Sequence, residues 1–140
     1  MPTSTEPEHI SCVHGPVTSE LCVRLATLLN DFNPAHYDHG FATATGLPGV
    51  IAPGTLLQGW VTADVAERLE GLGTRGRARL GTIDLRFTSP VLLDEHIRID
   101  YAWDGDQAAL TITAAPEPGS DGRTVATGSL RVDRGDGHAR

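Results

Sequence analysis

Asp31 and His36, a carboxylate and an imidazole, lie five residues apart on either side of an Asn33-Pro34 dipeptide. Proline lacks an amide donor and restricts the residue before it, so the chain bends here and both side chains can face one cavity. A carboxylate and an imidazole placed together can hold one water molecule, deprotonate it and return a proton. The simpler interpretation of this spacing, taken by itself, is that Asp31 caps a turn while His36 lies on the surface.

Two helices are predicted to position this segment. Apolar residues at helical spacing follow a Thr18/Ser19 cap over residues 18–29, and this pattern predicts a helix that ends just before Asp31. Asp38 is expected to cap one helical turn after the bend, and Asn33 to orient the bend through side-chain to backbone hydrogen bonds. A second, longer helix with a broad apolar face is predicted over residues 54–69.

The second half of the chain has the alternating pattern of half-buried strands. After a connector rich in glycine and arginine, residues 71–79, strands are predicted over 82–87 and 96–103, through Leu110 and Ile112, and over 125–132, with a short strand near 10–13. Helices followed by a meander indicate an α+β domain in which a curled antiparallel sheet covers one long helix. A sheet only four or five strands wide leaves an edge or groove open, and dimerisation would cover it.

The composition limits the classes of function. The 140 residues are expected to form one domain, residues 1–140, with flexible ends at 1–8 and 134–140. All eleven basic residues are arginine, which excludes lysine Schiff-base and phosphate-loop lysine chemistry, and a net charge of −7 argues against a nucleic-acid partner. Cys12 and Cys22 are too few for a disulfide framework and are expected to be buried or half-buried thiols.

Other signals indicate a cytoplasmic protein that needs no cofactor or metal. No segment predicts a membrane span, and the N-terminus does not resemble a signal peptide. His36-x-x-His39 lacks the ordered ligand set of a metal site. Residues 71–76 have the glycine spacing of the dinucleotide fingerprint, but they follow a helix and lead into a strand, the reverse of a Rossmann turn. They are interpreted as a connector.

The segment from Asp31 to Gly54 resembles the signature of the MaoC-like family, which includes the R-specific enoyl-CoA hydratases. The matching residues occur in order along the chain: Asp31, Asn33-Pro34, His36, Asp38, Ala42, Gly46 and Ile51-Ala52-Pro53-Gly54. Residues 86–91, Arg-Phe-Thr-Ser-Pro-Val, resemble the strand that follows the long helix in these proteins. With the helix between them, the two segments cover a little under half of the chain.

The resemblance implies a hot-dog fold, normally paired as a dimer, and the reversible addition of water to a 2-enoyl thioester. Asp31 and His36 would bind the reacting water, and the product would be an (R)-3-hydroxyacyl thioester of coenzyme A or an acyl carrier protein. The amide of Gly54, where the long helix begins, would polarise the thioester oxygen as enolate charge develops. Leu56 and Trp60 are candidates to line the acyl pocket.

Three arginines of the connector, Arg75, Arg77 and Arg79, are candidate contacts for the phosphates of coenzyme A or for the acidic face of a carrier protein. A guanidinium presents forked donors that match phosphate oxygens. A solvated loop is the alternative interpretation for all three.

The chain departs from the family pattern at two places. Leu29-Asn30 replaces the usual small pair before Asp31, and Leu93-Asp94-Glu95 stands where Gly-Asp is usual. Two alternative functions therefore stay open. One is a non-catalytic hot-dog subunit of a heterodimer, and the other is a hot-dog thioesterase or tailoring enzyme that acts on an acyl or polyketide thioester.

Overall fold

The computed structural model describes residues 6–74 and 76–135. Within them, the α-helices are α1 Ser19–Leu29, α2 His39–Ala44 and α3 Gly54–Gly71, and a 3₁₀ turn, Pro34–His36, connects α1 to α2. The strands are β1 Glu8–His14, β2 Ala78–Phe87, β3 His96–Asp104, β4 Gln107–Ala115 and β5 Arg123–Arg134. None of the helices described is both long and apolar enough to cross a membrane.

The strands form one antiparallel sheet in the order β1-β3-β4-β5-β2. Consecutive strands β3, β4 and β5 pair as a meander, while β1 and β2 lie at the edges of the described sheet. The sheet curls around α3, which contributes to the same hydrophobic core. The α+β class predicted from the sequence is therefore confirmed, and this arrangement is the hot-dog fold that the resemblance implies.

One hydrophobic cluster joins α3 to the inner face of the sheet. Leu57, Val61 and Val65 of α3 are at most 2% exposed, and Ile97 and Ile99 of β3 are completely buried. Burying a side chain of this size stabilises the fold by about 1.5–3 kcal/mol. Packing therefore fixes the rotation of α3 and, with it, the direction in which the first turn of the helix points.

Two strands extend further than the sequence predicts. β1 begins at Glu8 and β5 ends at Arg134. Each strand therefore includes one residue of an end, 1–8 or 134–140, that was expected to be flexible. Both residues form ion pairs: Glu8 contacts Arg68 at 2.6 Å, and the Arg134 guanidinium makes a forked contact with Asp106. These ion pairs help to stabilise the first residue of β1 and the last residue of β5 in the sheet.

Both cysteines are free thiols, Cys22 buried and Cys12 half-buried, which confirms the prediction. Burial, followed by the nearby Asp64 carboxylate, raises the pKa of Cys12 to about 11. Burial also raises the pKa of Cys22. Neither thiol therefore has the low pKa that a nucleophilic cysteine requires.

Candidate active site

The end of α1 and the turn after it set the position of Asp31. Asn30 caps the helix in the left-handed conformation, and its N–H and that of Asp31 both donate to the carbonyl of Ala26, the latter at 2.9 Å. Asp31 Oδ1 accepts a hydrogen bond from the Asn33 amide at 3.3 Å. Asn33 Oδ1 accepts one from the Ala35 amide at 3.1 Å and so caps the 3₁₀ turn. The orienting role predicted for Asn33 thus corresponds to a hydrogen bond in the structure.

His36 is the last residue of that 3₁₀ turn, and its side chain is only 10% exposed. Its Nδ1 lies 2.8 Å from the carbonyl oxygen of Ile51, and the Ile51 amide donates to the carbonyl of Ala35. A carbonyl oxygen only accepts hydrogen bonds, so Nδ1 carries the hydrogen. In the neutral imidazole, the lone pair is therefore on Nε2, where it can act as a base.

Asp31 and His36 face each other across a short gap. The distance from His36 Nε2 to Asp31 Oδ2 is 3.6 Å, and the Asp31 side chain is 45% exposed. With Nδ1 protonated, both facing atoms are acceptors, and the gap exceeds a direct hydrogen bond. A water molecule that donates one hydrogen to each atom would satisfy both.

His36 lies in the wall of a pocket of about 590 Å³. Its floor and walls come from the strand-like segment before α3, the first turns of α3, and the end of β2 with the loop that follows it. The other lining residues are Ile51, Ala52, Pro53, Gly54, Thr55, Leu57, Gln58, Phe87, Thr88, Ser89, Pro90 and Val91. The lining is mostly apolar with a few polar side chains, as is typical of a site for a small organic ligand.

Gly54 is the first residue of α3 and lines the same pocket as His36. Amides in the first turn of a helix have no acceptor within the helix, and the helix dipole makes this end positive. A Cβ atom at position 54 would lie 2.9 Å from the Cζ atom of the Phe87 ring. The lack of a side chain at Gly54 therefore allows both the close approach of Phe87 and access to the helix end.

The other predicted site residues lie outside this pocket. Leu56 is buried in the core, and Trp60 stacks on the His14 ring with centroids 5.1 Å apart. Neither residue is part of the pocket lining, although both were candidates for it. The rotation of α3 instead turns Leu57 and Gln58 toward the pocket. Arg77 and Arg79 follow the far end of α3, roughly 25 Å along the helix from Gly54 at 1.5 Å per residue.

Arg79 lies within β2 rather than in a connector, because β2 begins at Ala78. Arg75 lies outside the described residues. The structure therefore does not bring the arginines it describes, Arg77 and Arg79, to the pocket of the same chain.

Asp38 has the capping role that its position predicted. Its Oδ1 accepts a hydrogen bond from the Phe41 amide at 3.0 Å at the start of α2. Lining residues that the sequence-based reasoning missed include Leu57, Gln58 and Phe87. A signal existed for Phe87, which belongs to the segment 86–91 that resembles the family, and for Gln58, which lies one helical turn after Gly54.

The fold and the paired Asp31 and His36 define a hot-dog protein with a candidate site at the N-terminus of its long helix. Residues 5–113 match the family model described as a MaoC like domain, which is well over half of the chain. The chain belongs to the MaoC-like domain family.

One individual protein is similar to part of the chain in sequence. The chain is 39% identical over 82 residues to the fatty acid synthase beta subunit pkiC of Emericella nidulans, a match that covers 57% of this chain and 4% of that subunit. This chain thus spans only a small part of the length of that relative.

Solved structures share the fold at low identity. One is the (R)-hydratase from A. caviae involved in PHA biosynthesis, with a TM-score of 0.64, 21% identity, and coverage of 96% of this chain and 100% of that one. Another is the C-terminally truncated HadBC (3R-hydroxyacyl-ACP dehydratase) complex from Mycobacterium tuberculosis, with a TM-score of 0.67, 16% identity, and coverage of 92% and 98%.

Proposed function

We propose that this protein is an enoyl-thioester hydratase and, in the reverse direction, a 3-hydroxyacyl-thioester dehydratase. The observation that carries the proposal is the pair of facing acceptors, His36 Nε2 and Asp31 Oδ2, 3.6 Å apart, with His36 in a pocket that also contains the start of α3. Such a pair orients a water molecule, and a helix N-terminus beside it stabilises developing negative charge.

In the proposed reaction, His36 is the base for the bound water. Its Nδ1–H is held by the Ile51 carbonyl, so Nε2 accepts one hydrogen of a water whose other hydrogen is accepted by Asp31. As the water oxygen bonds to the β-carbon, one proton passes to Nε2, and the electrons of the C=C bond move toward the α-carbon and the thioester oxygen. Asp31 stabilises the imidazolium, which then delivers the proton to the α-carbon.

Gly54 is proposed to stabilise the enolate formed between these two proton transfers. Its amide belongs to the first turn of α3, where an N–H is free to donate to a ligand. A thioester oxygen at this position would receive that hydrogen bond and the positive end of the helix dipole as its charge grows. In the dehydration direction the same groups act in reverse order.

The substrate is proposed to be the 2-enoyl thioester of coenzyme A or an acyl carrier protein, with the hydroxyl group added in the R configuration. The hydratase and dehydratase functions stated in the names of the two structural relatives support this substrate class and configuration. The apolar part of the lining, including Leu57, Phe87 and Val91, is suited to an acyl chain.

The experiment incubates purified protein with short and medium 2-enoyl thioesters, each offered on coenzyme A and on a carrier protein. Chromatography and mass spectrometry follow the products. The proposal predicts an intact thioester that has gained one water. Release of a free thiol would instead identify a thioesterase, and a protein that changes no thioester on either carrier would contradict the proposal and favour a non-catalytic subunit.

A further inference from the structure

An ion pair between Arg123 and Glu95 lies behind the wall of the candidate pocket. Arg123 is the first residue of β5, and Glu95 immediately precedes β3. The guanidinium makes a forked contact in which Nη1 donates to Glu95 Oε1 and Nη2 donates to Oε2, the latter at 2.9 Å. The Glu95 side chain is 12% exposed, so the pair is partly shielded from solvent.

Both members of the pair also bind the segment that follows β2 and lines the pocket. Arg123 Nε donates to Ser89 Oγ at 3.1 Å, and Nη2 also donates to the Pro90 carbonyl. Glu95 Oε2 accepts a hydrogen bond from the Leu92 amide at 2.8 Å. Residues 89–92, which include three lining residues of the pocket, are thus held by a single ion pair through contacts to side chain, carbonyl and amide.

The same segment is connected to His36. The Val91 carbonyl accepts a hydrogen bond from the Ala52 amide at 2.8 Å, and Ile51 forms a bridge with Leu92. The Ile51 carbonyl is the acceptor for His36 Nδ1. A continuous series of hydrogen bonds therefore leads from the Arg123–Glu95 pair to the group that sets the tautomer of His36.

The electrostatics favour the charged form of both residues at neutral pH. Burial by itself would raise the pKa of Glu95, but the hydrogen bonds from Arg123 and the Leu92 amide outweigh it, and the net pKa is lowered. The hydrogen bonds that Arg123 donates to the Glu95 carboxylate raise the pKa of Arg123. Forked Arg–carboxylate contacts have a fixed geometry, which suits them to holding a backbone segment in one place.

We propose that Arg123 and Glu95 are positioning residues for the reaction: their ion pair fixes the pocket wall at residues 89–92 and, through Ala52 and Ile51, the orientation of the His36 imidazole. Neither residue is proposed to touch the substrate. The expected effect on kcat rests on the proposed function, in which a displaced His36 base slows proton transfer. Its structural consequence, the tautomer of His36, does not depend on that function.

The test compares Arg123→Met with Arg134→Met. Arg134 is the matched control because it ends the same strand and also makes a forked ion pair, with Asp106, but at the other end of β5 from the pocket wall. Arg123→Lys keeps the charge without the fork and replaces Arg123→Met if the latter fails to fold. Measurements are kcat and KM for the best 2-enoyl thioester, thermal unfolding, and the ¹⁵N chemical shifts of the His36 ring.

Arg123→Met is expected to lower kcat by roughly tenfold to a hundredfold, the effect of a displaced catalytic group, while Arg134→Met leaves kcat unchanged. The His36 ring of Arg123→Met should lose the native signature of a protonated Nδ1 in favour of a tautomeric mixture. Equal kcat in the two variants, or native ¹⁵N shifts in Arg123→Met, would overturn the inference. If the native protein turns over no thioester, the proposed function fails, and the ¹⁵N shifts alone decide the positioning role.

Discussion

Asn30 and Asp94 have left-handed backbone conformations, with φ angles of 52° and 67°. They lie at the two places where the sequence departs from the family pattern, in Leu29-Asn30 and Leu93-Asp94-Glu95. Glycine adopts this conformation most easily, and asparagine and aspartate are the next most tolerant residues. Both departures therefore contain a residue that tolerates the left-handed conformation, one just before Asp31 and the other just before Glu95.

The conformation of Asn30 gives a prediction for α1 and the residue after it. Asn30→Val is expected to lower the free energy of unfolding by roughly 1–2 kcal/mol, because a β-branched side chain is strained in this left-handed region, which asparagine tolerates. It should also lower activity, because Asp31 is the next residue. Asn30→Gly is the control and should keep both properties. Urea unfolding and initial rates measure the effects, and a valine variant equal to the glycine variant in both would contradict this account.

The contact between Gly54 and Phe87 predicts the effect of adding a side chain at position 54. Gly54→Ala adds a Cβ 2.9 Å from the Phe87 ring, so the ring or the helix end must move within the pocket. We expect a folded protein whose kcat/KM is lower by about tenfold or more, a barrier increase of at least ~1.4 kcal/mol. Gly59→Ala on the same helix, where a Cβ meets nothing within 4 Å, is the control. Equal kcat/KM for the two variants would exclude a role for the space at Gly54.

At the scale of elements, Glu95 connects the start of β3 to the start of β5, and its lowered pKa makes this connection pH-dependent. A carboxylate whose pKa is lower in the folded state than its ordinary 4.5 stabilises the fold above that value. The stabilisation is lost as the pH falls through the folded-state pKa.

Glu95→Gln should therefore unfold at lower urea concentration than the native protein at pH 7. The difference should narrow as the pH falls below 4.5, the ordinary pKa of this group. Glu117→Gln, at an exposed carboxylate between β4 and β5, is the control and should change little at either pH. If the difference in unfolding urea concentration between Glu95→Gln and the native protein stayed the same from pH 7 to acidic pH, the charge of Glu95 would not contribute to stability.

Elements with local signals could be predicted from the sequence, and those that depend on distant contacts could not. The Thr18 cap, whose side chain accepts from the Leu21 amide, and the cap at Asp38 match the prediction because each signal lies within four residues. Which side of α3 faces the pocket depends on packing against the sheet. For this reason Leu57 lines the pocket while Leu56 does not.

The wall of the pocket could not be predicted from local sequence patterns, because it also depends on contacts between residues distant in the chain. Phe87 approaches Gly54 only after the chain has passed along α3 and β2, and Arg123 reaches Ser89 across 34 positions. No periodicity within a short window reports such contacts. The pairing of Asp31 with His36 could be predicted from the sequence because both residues lie within one short bend of the chain.

At the scale of the whole molecule, the described sheet has β2 at one edge, next to the pocket. Phe87 of β2 is 47% exposed, and large apolar side chains near Asp31 are also exposed, among them Leu28 at 81% and Phe32 at 59%. A second subunit commonly covers exposed strand edges, and it can bury exposed apolar side chains beside them.

We therefore expect a homodimer in solution. Size-exclusion chromatography with light scattering should give twice the 14.9 kDa of a single chain. A mass of one chain at every concentration would contradict this expectation. If that monomer gained hydratase activity only when mixed with a second hot-dog chain, the result would instead favour a heterodimer.

The catalytic role of Asp31 and His36 is tested most directly by the kcat/KM of Asp31→Asn and of His36→Gln on the best 2-enoyl thioester, with circular dichroism to verify folding. The kcat/KM of each folded variant is expected to fall by a factor of roughly 10²–10⁴, the usual contribution of a general acid–base group. Either variant retaining native kcat/KM, within a barrier change of about 1 kcal/mol, would show that the pair does not perform the chemistry.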